Sequence, residues 1–82
     1  MKYSCVLEFE LAEELRTLSP SRYASVVYAA GIVVGSPHVD PDFSCRDDDG
    51  RLVRIRFFGR LLLGYLVDEA AREIRIVSIE WA

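Results

Sequence analysis

Arg54 and Arg56 alternate with Val53, Ile55 and Phe57, so both guanidinium groups leave one strand on the same side. Tyr65 follows nine residues after Arg56, and Arg51 and Arg60 flank the pair. Guanidinium groups hold phosphates or carboxylates, while a tyrosine stacks a base or lends a proton. Arg54, Arg56 and Tyr65 are the candidate catalytic set should this face act on a phosphodiester; the same residues could equally meet the acids of a binding peptide or only keep the sheet soluble. Arg51, Arg60, Leu61 and Trp81 are candidates for contacting RNA or a protein partner.

Residues 51–82 carry six bases against four acids, whereas residues 41–50 carry four acids against one base. The whole chain is acidic, with a net charge of −3, so the basic segment leaves only a weak footprint for nucleic acid. Cys5 and Cys45 make neither a metal spacing nor a disulfide scaffold. Asp47-Asp-Asp-Gly50 lacks the alternating ligands and closing glutamate of a calcium loop and reads as a hairpin turn. His38, the single histidine, follows Ser36-Pro37 in a loop and reads as a surface residue.

The elements that position these residues follow from periodicity. Tyr3, Cys5, Leu7 and Phe9 alternate as a half-buried strand does. Leu11, Leu15 and Leu18 predict a short helix over 10–18. Ser19-Pro20 is a cap followed by proline at the first helical position, so a second helix should run from Pro20 to about Val34. Gly35 would close it in the left-handed conformation.

That second helix carries two apolar stripes. Tyr23, Val26, Val27, Ala30 and Val34 form one; Tyr28, Ala29, Ile32 and Val33 form the other. One packs on the sheet, leaving Tyr28, Ile32 and Val33 to meet helix one, a second copy of the chain or a partner. Residues 35–50, with their prolines, glycines and aspartates, read as a loop.

Phe58-Gly59 is the expected reversal of the following hairpin, pairing Phe57 with Arg60, Arg56 with Leu61 and Arg54 with Leu63. Alternation then puts Val53, Ile55, Phe57, Leu62 and Leu66 against the helices. Leu52, Arg54, Arg56, Leu61, Leu63 and Tyr65 would share the outer face. Such a face binds RNA, binds an acidic and apolar peptide, or keeps an exposed sheet soluble.

With 82 residues, 51% of them hydrophobic, the chain reads as one domain, residues 1–82. The expected class is α+β in the order β-α-α-β-β-β: two N-terminal helices on one face of a small, mainly antiparallel four-stranded sheet. No stretch reaches the ~20 apolar residues a membrane span needs, and a reduced, cytoplasmic protein is expected.

The opening strand, the two helices ending at Ser36-Pro37, the basic strand up to Gly59 and the Leu66-Val-Asp-Glu69 segment together resemble the RelE/ParE superfamily of bacterial toxin–antitoxin systems. The resemblance spans the whole chain. It implies a toxin or plasmid-stabilization fold silenced by a cognate antitoxin. RelE-like members are metal-independent mRNA interferases, endoribonucleases acting on the ribosome; ParE-like members inhibit gyrase.

The family's basic pattern falls on Arg54 and Arg56, but meets Leu52, Leu61 and Trp81 where further cations are expected, and no C-terminal tyrosine or histidine precedes Ala82. Without an acid and a base, each typically contributing about 10²–10⁴-fold, most of the rate of RNA cleavage is lost. The resemblance therefore implies an antitoxin-binding toxin. The alternatives are a non-catalytic module on the same fold, such as a decayed toxin or a homodimer, and a gyrase inhibitor.

Overall fold

A computed structural model describes residues 2–82. The elements are β1 (Ser4–Leu7), α1 (Phe9–Leu15), α2 (Pro20–Gly35), β2 (Phe43–Arg46), β3 (Leu52–Phe58), β4 (Leu61–Asp68) and β5 (Glu73–Trp81). The sheet order is β1-β5-β4-β3-β2, with β1 parallel to β5 and the other pairs antiparallel. The fold is α+β, but the sheet is mixed and has five strands where the sequence predicts four.

The added strand, β2, lies inside the stretch read as loop. Phe43-Ser-Cys-Arg46 has no alternating pattern, and all four residues are exposed. Its pairing with β3, from Phe43 opposite Ile55 to Arg46 opposite Leu52, makes it a strand. The turn between β2 and β3 is the expected one: Gly50 N–H donates to Asp47 O at 2.9 Å, and Gly50 has φ +79°.

In α2, Ser19 Oγ accepts from Arg22 N–H at 3.3 Å and Pro20 opens the first turn. Its C-terminus differs from expectation. Gly35 stays helical, and Ser36 caps the end, with both N–H and Oγ–H donating to Ile32 O. Helix α1 is shorter than predicted, ending at Leu15, with Leu18 packed against the core from the connection. Among the described residues no helix is long and apolar enough to cross a membrane.

The β3–β4 reversal falls one position later than predicted. Phe58 pairs with Leu61, so Gly59 and Arg60 form the turn, and Gly59 takes φ +63° at its first central position. Arg56 consequently faces Leu63, and Arg54 faces Tyr65. A shift of two on the partner strand preserves parity, so the residues expected to share a face do share one.

Which face meets the helices is the reverse of the expectation. Leu61, Leu63, Tyr65, Ile74, Ile76 and Ile79 form the core with Leu11, Val26, Ala29 and Val33. Val53 and Ile55 are buried, at 5% and 7% exposure, but stand outside that cluster, on the bare side of the sheet with Leu62 and Phe43. Phe57, assigned to the core, is 49% exposed against the Phe43 ring. Both faces of the hairpin are apolar, so alternation alone sorts residues into two sets without saying which set is covered.

The stripe on α2 reserved for a partner also turns inward. Val33 is fully buried, Ile32 is half-buried, and only Tyr28, at 69%, is open to solvent. Tyr23 and Val27, from the other stripe, are exposed instead.

Gly64 sits in a close-packed part of the sheet, beside an irregularity where β5 skips Val77. A Cβ there would clash with Ser78 Oγ and press within 3.1 Å of Ile55 Cδ1 and 3.2 Å of Val53 Cγ1. Gly64→Ala should therefore destabilise the fold by about 1–3 kcal/mol in denaturant titration, as overpacking does. Adding Ser78→Ala should recover part of that loss, because the hydroxyl is the worst contact; no recovery would place the strain elsewhere.

Candidate functional site

The helices pack on β4, β5 and β1, leaving the helix-side face of β3 beside them. Arg54, Arg56 and Phe58 project there, because β3 residues opposite Tyr65, Leu63 and Leu61 share that face. The arginines therefore lie on the same side as the helices, and the expected outward projection is corrected. They occupy the margin of the core.

Two aromatic rings organise this margin. Arg56 stacks over Phe58, with its guanidinium carbon 5.3 Å from the ring centroid. Across the sheet, Phe58, Leu61 and Trp81 form one row on three neighbouring strands. Arg22, from the first turn of α2, lies 4.8 Å over the Trp81 ring. Cation–π contact holds a guanidinium flat while leaving its N–H groups free to bind an anion.

Charge is distributed unequally among the arginines. Arg51 is bound by Glu8 at 3.2 Å and Asp47 at 2.7 Å. Burial raises the Asp47 carboxyl, but hydrogen bonds from the Arg51 backbone and guanidinium outweigh it and hold the pKa below its ordinary value. Arg16 and Arg75 have Glu13 and Glu73. Among the described residues no carboxylate lies within ion-pair distance of Arg22, Arg54 or Arg56.

Tyr65 lies beneath the arginines and is fully buried. Its hydroxyl and Arg56 Nη1 are both sequestered without a hydrogen-bond partner. Burial raises the Tyr65 pKa, and the charges of Arg56 and Arg54 only partly oppose it. As placed, Tyr65 stands opposite Arg54 in the pairing of β3 with β4, and its side chain is closed to solvent. Leu61, at 1% exposure, is likewise core.

The structure thus brings together Arg54, Arg56, Tyr65, Leu61 and Trp81, and separates Arg51 from them. Arg60 sits in the β3–β4 turn, with its carbonyl accepting from Ala82 N–H at 2.8 Å. Arg22 was missed. Its only sequence signal was its place as the sole cation in an otherwise uncharged helix.

No family model and no curated protein matches this chain. Solved structures do. The RelBE2 toxin–antitoxin complex of Mycobacterium tuberculosis is similar at a TM-score of 0.81 and 19% identity, covering 100% of both chains. The archaeal RelE–RelB complex from Pyrococcus horikoshii gives 0.74 at 15% identity, covering 99% of this chain and 96% of that one. A substituted Escherichia coli RelE toxin in the free state gives 0.70 at 17%, covering all of this chain and 85% of that one. The chain has the RelE-type toxin fold, and the resemblance read from its order of elements is borne out at that level.

Removing the unpartnered hydroxyl in Tyr65→Phe should leave stability unchanged or raise it by about 1 kcal/mol, since a buried hydroxyl without a partner costs that much or more. Burial lifts the folded-state pKa above the ordinary 10.0, so the unfolded phenol ionises first and stability falls as pH rises beyond 10. Denaturation at pH 9 and pH 11 should show a smaller loss in Tyr65→Phe than in the parent. An equal loss would mean that the Tyr65 hydroxyl ionises as readily in the folded chain as in the unfolded one.

Proposed function

We propose that this chain is the toxin-type component of a type II toxin–antitoxin module, bound and silenced by a cognate antitoxin protein. The observation that carries the reading is likeness over essentially the full length of both chains to RelE proteins solved with RelB antitoxins. On this reading the margin formed by Arg22, Arg54 and Arg56 with Phe58 and Trp81 is the RNA-contacting face. Three unpaired guanidinium groups neutralise phosphates, and the two rings offer stacking planes. The setting is the cytoplasm, and the substrate is mRNA on the ribosome.

One observation favours a second reading, a non-catalytic interaction module. Tyr65, the acid–base candidate on this face, is covered, and none of the three arginines is hydrogen-bonded to a carboxylate or imidazole. Cations alone stabilise a phosphoryl transition state but do not move its protons. In this second reading the chain binds an antitoxin or pairs with a second copy, and gyrase or mRNA is not its target.

Induced expression separates the two readings. Growth should stop and transcripts should shorten on induction, with Arg54→Ala/Arg56→Ala restoring viability at least tenfold at equal protein level. Co-expression of the reading frame adjoining this gene should restore growth and yield a co-purifying complex. Undisturbed growth and intact transcripts alongside such a complex would establish the non-catalytic module. Undiminished toxicity of the double variant would remove the arginine face from the mechanism.

A further inference from the structure

On the side of the sheet away from the helices, Phe43, Cys45, Val53, Ile55 and Leu62 line an open hollow of about 480 Å³. Strand pairing puts them there together: Phe43 stands opposite Ile55, Cys45 opposite Val53 and Leu62 opposite Phe57. Phe43 and Phe57 are 46% and 49% exposed, and their rings meet edge to face with centroids 5.7 Å apart. Val53 and Ile55, both buried, form the floor beside them. Two half-exposed rings on an apolar floor are the kind of anchor on which protein interfaces are built.

The rim of the hollow is acidic. Asp47, Asp48 and Asp49 come from the β2–β3 turn and Glu80 from the end of β5, and Arg51 is the single cation among the lining residues. Arg51 is already held by Asp47 at 2.7 Å and Glu8 at 3.2 Å, with Asp49 at 4.0 Å. Asp48 and Glu80 have no ion pair among the described residues. Four carboxylates and one guanidinium give the rim a formal charge of −3.

That charge sorts the occupants. A nucleic acid or an anionic membrane meets like charge along the rim, and a second copy docked face to face sets one acidic rim against another. The occupant that fits brings apolar side chains and its own cations. An apolar sheet face is roofed by a helix in α+β layers, as α1 and α2 roof the other side here.

We propose that this bare face docks a basic amphipathic helix of a partner protein. Its apolar stripe lies on Phe43, Phe57 and Leu62, and its lysines or arginines face Asp48 and Glu80. Taking that partner as the antitoxin rests on the toxin–antitoxin reading above; the face and the chemistry of the docked segment do not. Arg54 and Arg56 leave β3 on the opposite side, so a helix seated here leaves them uncovered.

The test uses the purified full chain and a labelled synthetic peptide of about 18 residues, with leucines at helical spacing and lysines on the flanks. Fluorescence anisotropy should show binding that weakens with added salt. A scrambled peptide of the same composition should not bind, nor should one with glutamates in place of the lysines. Asp48→Asn/Glu80→Gln should weaken binding by about three- to tenfold. Glu13→Gln, on the exposed surface of α1, is the folded control and should bind as the parent does.

The two free cysteines report where the peptide sits. Cys45 lines this hollow, whereas Cys5 lies on the helix side, in a groove with Leu7, Tyr23 and Val27. Bound peptide should slow alkylation of Cys45 and leave that of Cys5 unchanged. No binding of the lysine peptide, equal binding of the glutamate peptide, or protection of Cys5 in place of Cys45 each overturns the proposal. Co-purification with the product of the adjoining reading frame is a separate measurement, and its failure leaves the peptide result standing.

Discussion

Leu61, Leu63 and Tyr65, pressed against Val26, Ala29 and Val33, fix the position of everything else. A 16-residue helix is about 24 Å long, at 1.5 Å per residue. It packs chiefly on β4, β5 and β1, and the short α1 on β5, so the helical layer lies over one side of the five-stranded sheet. Burial is spent on the middle and one edge of the sheet, and β3 and β2 lie past the roof. The arginines therefore occupy a place that is neither core nor free surface. The alkyl stems of Arg54 and Arg56 border apolar packing, and Arg56 Nη1 is itself sequestered from solvent.

This placement accounts for what could be read from the chain and what could not. Period-2 alternation sorted Arg54, Arg56, Leu61, Leu63 and Tyr65 onto one face correctly even though the turn lay one position later. The reason is physical: side chains repeat every two residues, so a two-residue slip changes partners without changing sides. The start of α2 was readable from Ser19-Pro20 because capping is a local interaction. The covered face was not readable, since Val53, Ile55 and Leu62 are as apolar as Leu61, Leu63 and Tyr65. Only the reach of the helices decides between them, and reach is a tertiary quantity. β2 failed for a related reason: an edge strand of four exposed residues is stabilised by its neighbour's backbone and leaves no pattern in its own side chains.

The side-chain contacts of longest range were the least readable. Arg22 meets Trp81 across 59 positions of sequence, and Tyr3 meets Glu69 across 66. His38 reads as an idle loop histidine until the fold delivers Glu69 to it. Nothing local marks such pairs, because each residue is unremarkable in its own segment.

Net charge was the most misleading of the global quantities. A chain at −3 looks unsuited to nucleic acid, yet a sum hides how the charges pair. Glu8, Asp47, Glu13 and Glu73 are engaged with Arg51, Arg16 and Arg75, neutralising one another where they stand. Arg22, Arg54 and Arg56, which have no ion pair among the described residues, lie around one aromatic row. The field that an approaching phosphate meets is set within about 8 Å at physiological salt, so this local surplus governs contact while the distant acids are screened. The same separation lets one small chain present a cationic margin on one side of its sheet and an acidic rim on the other.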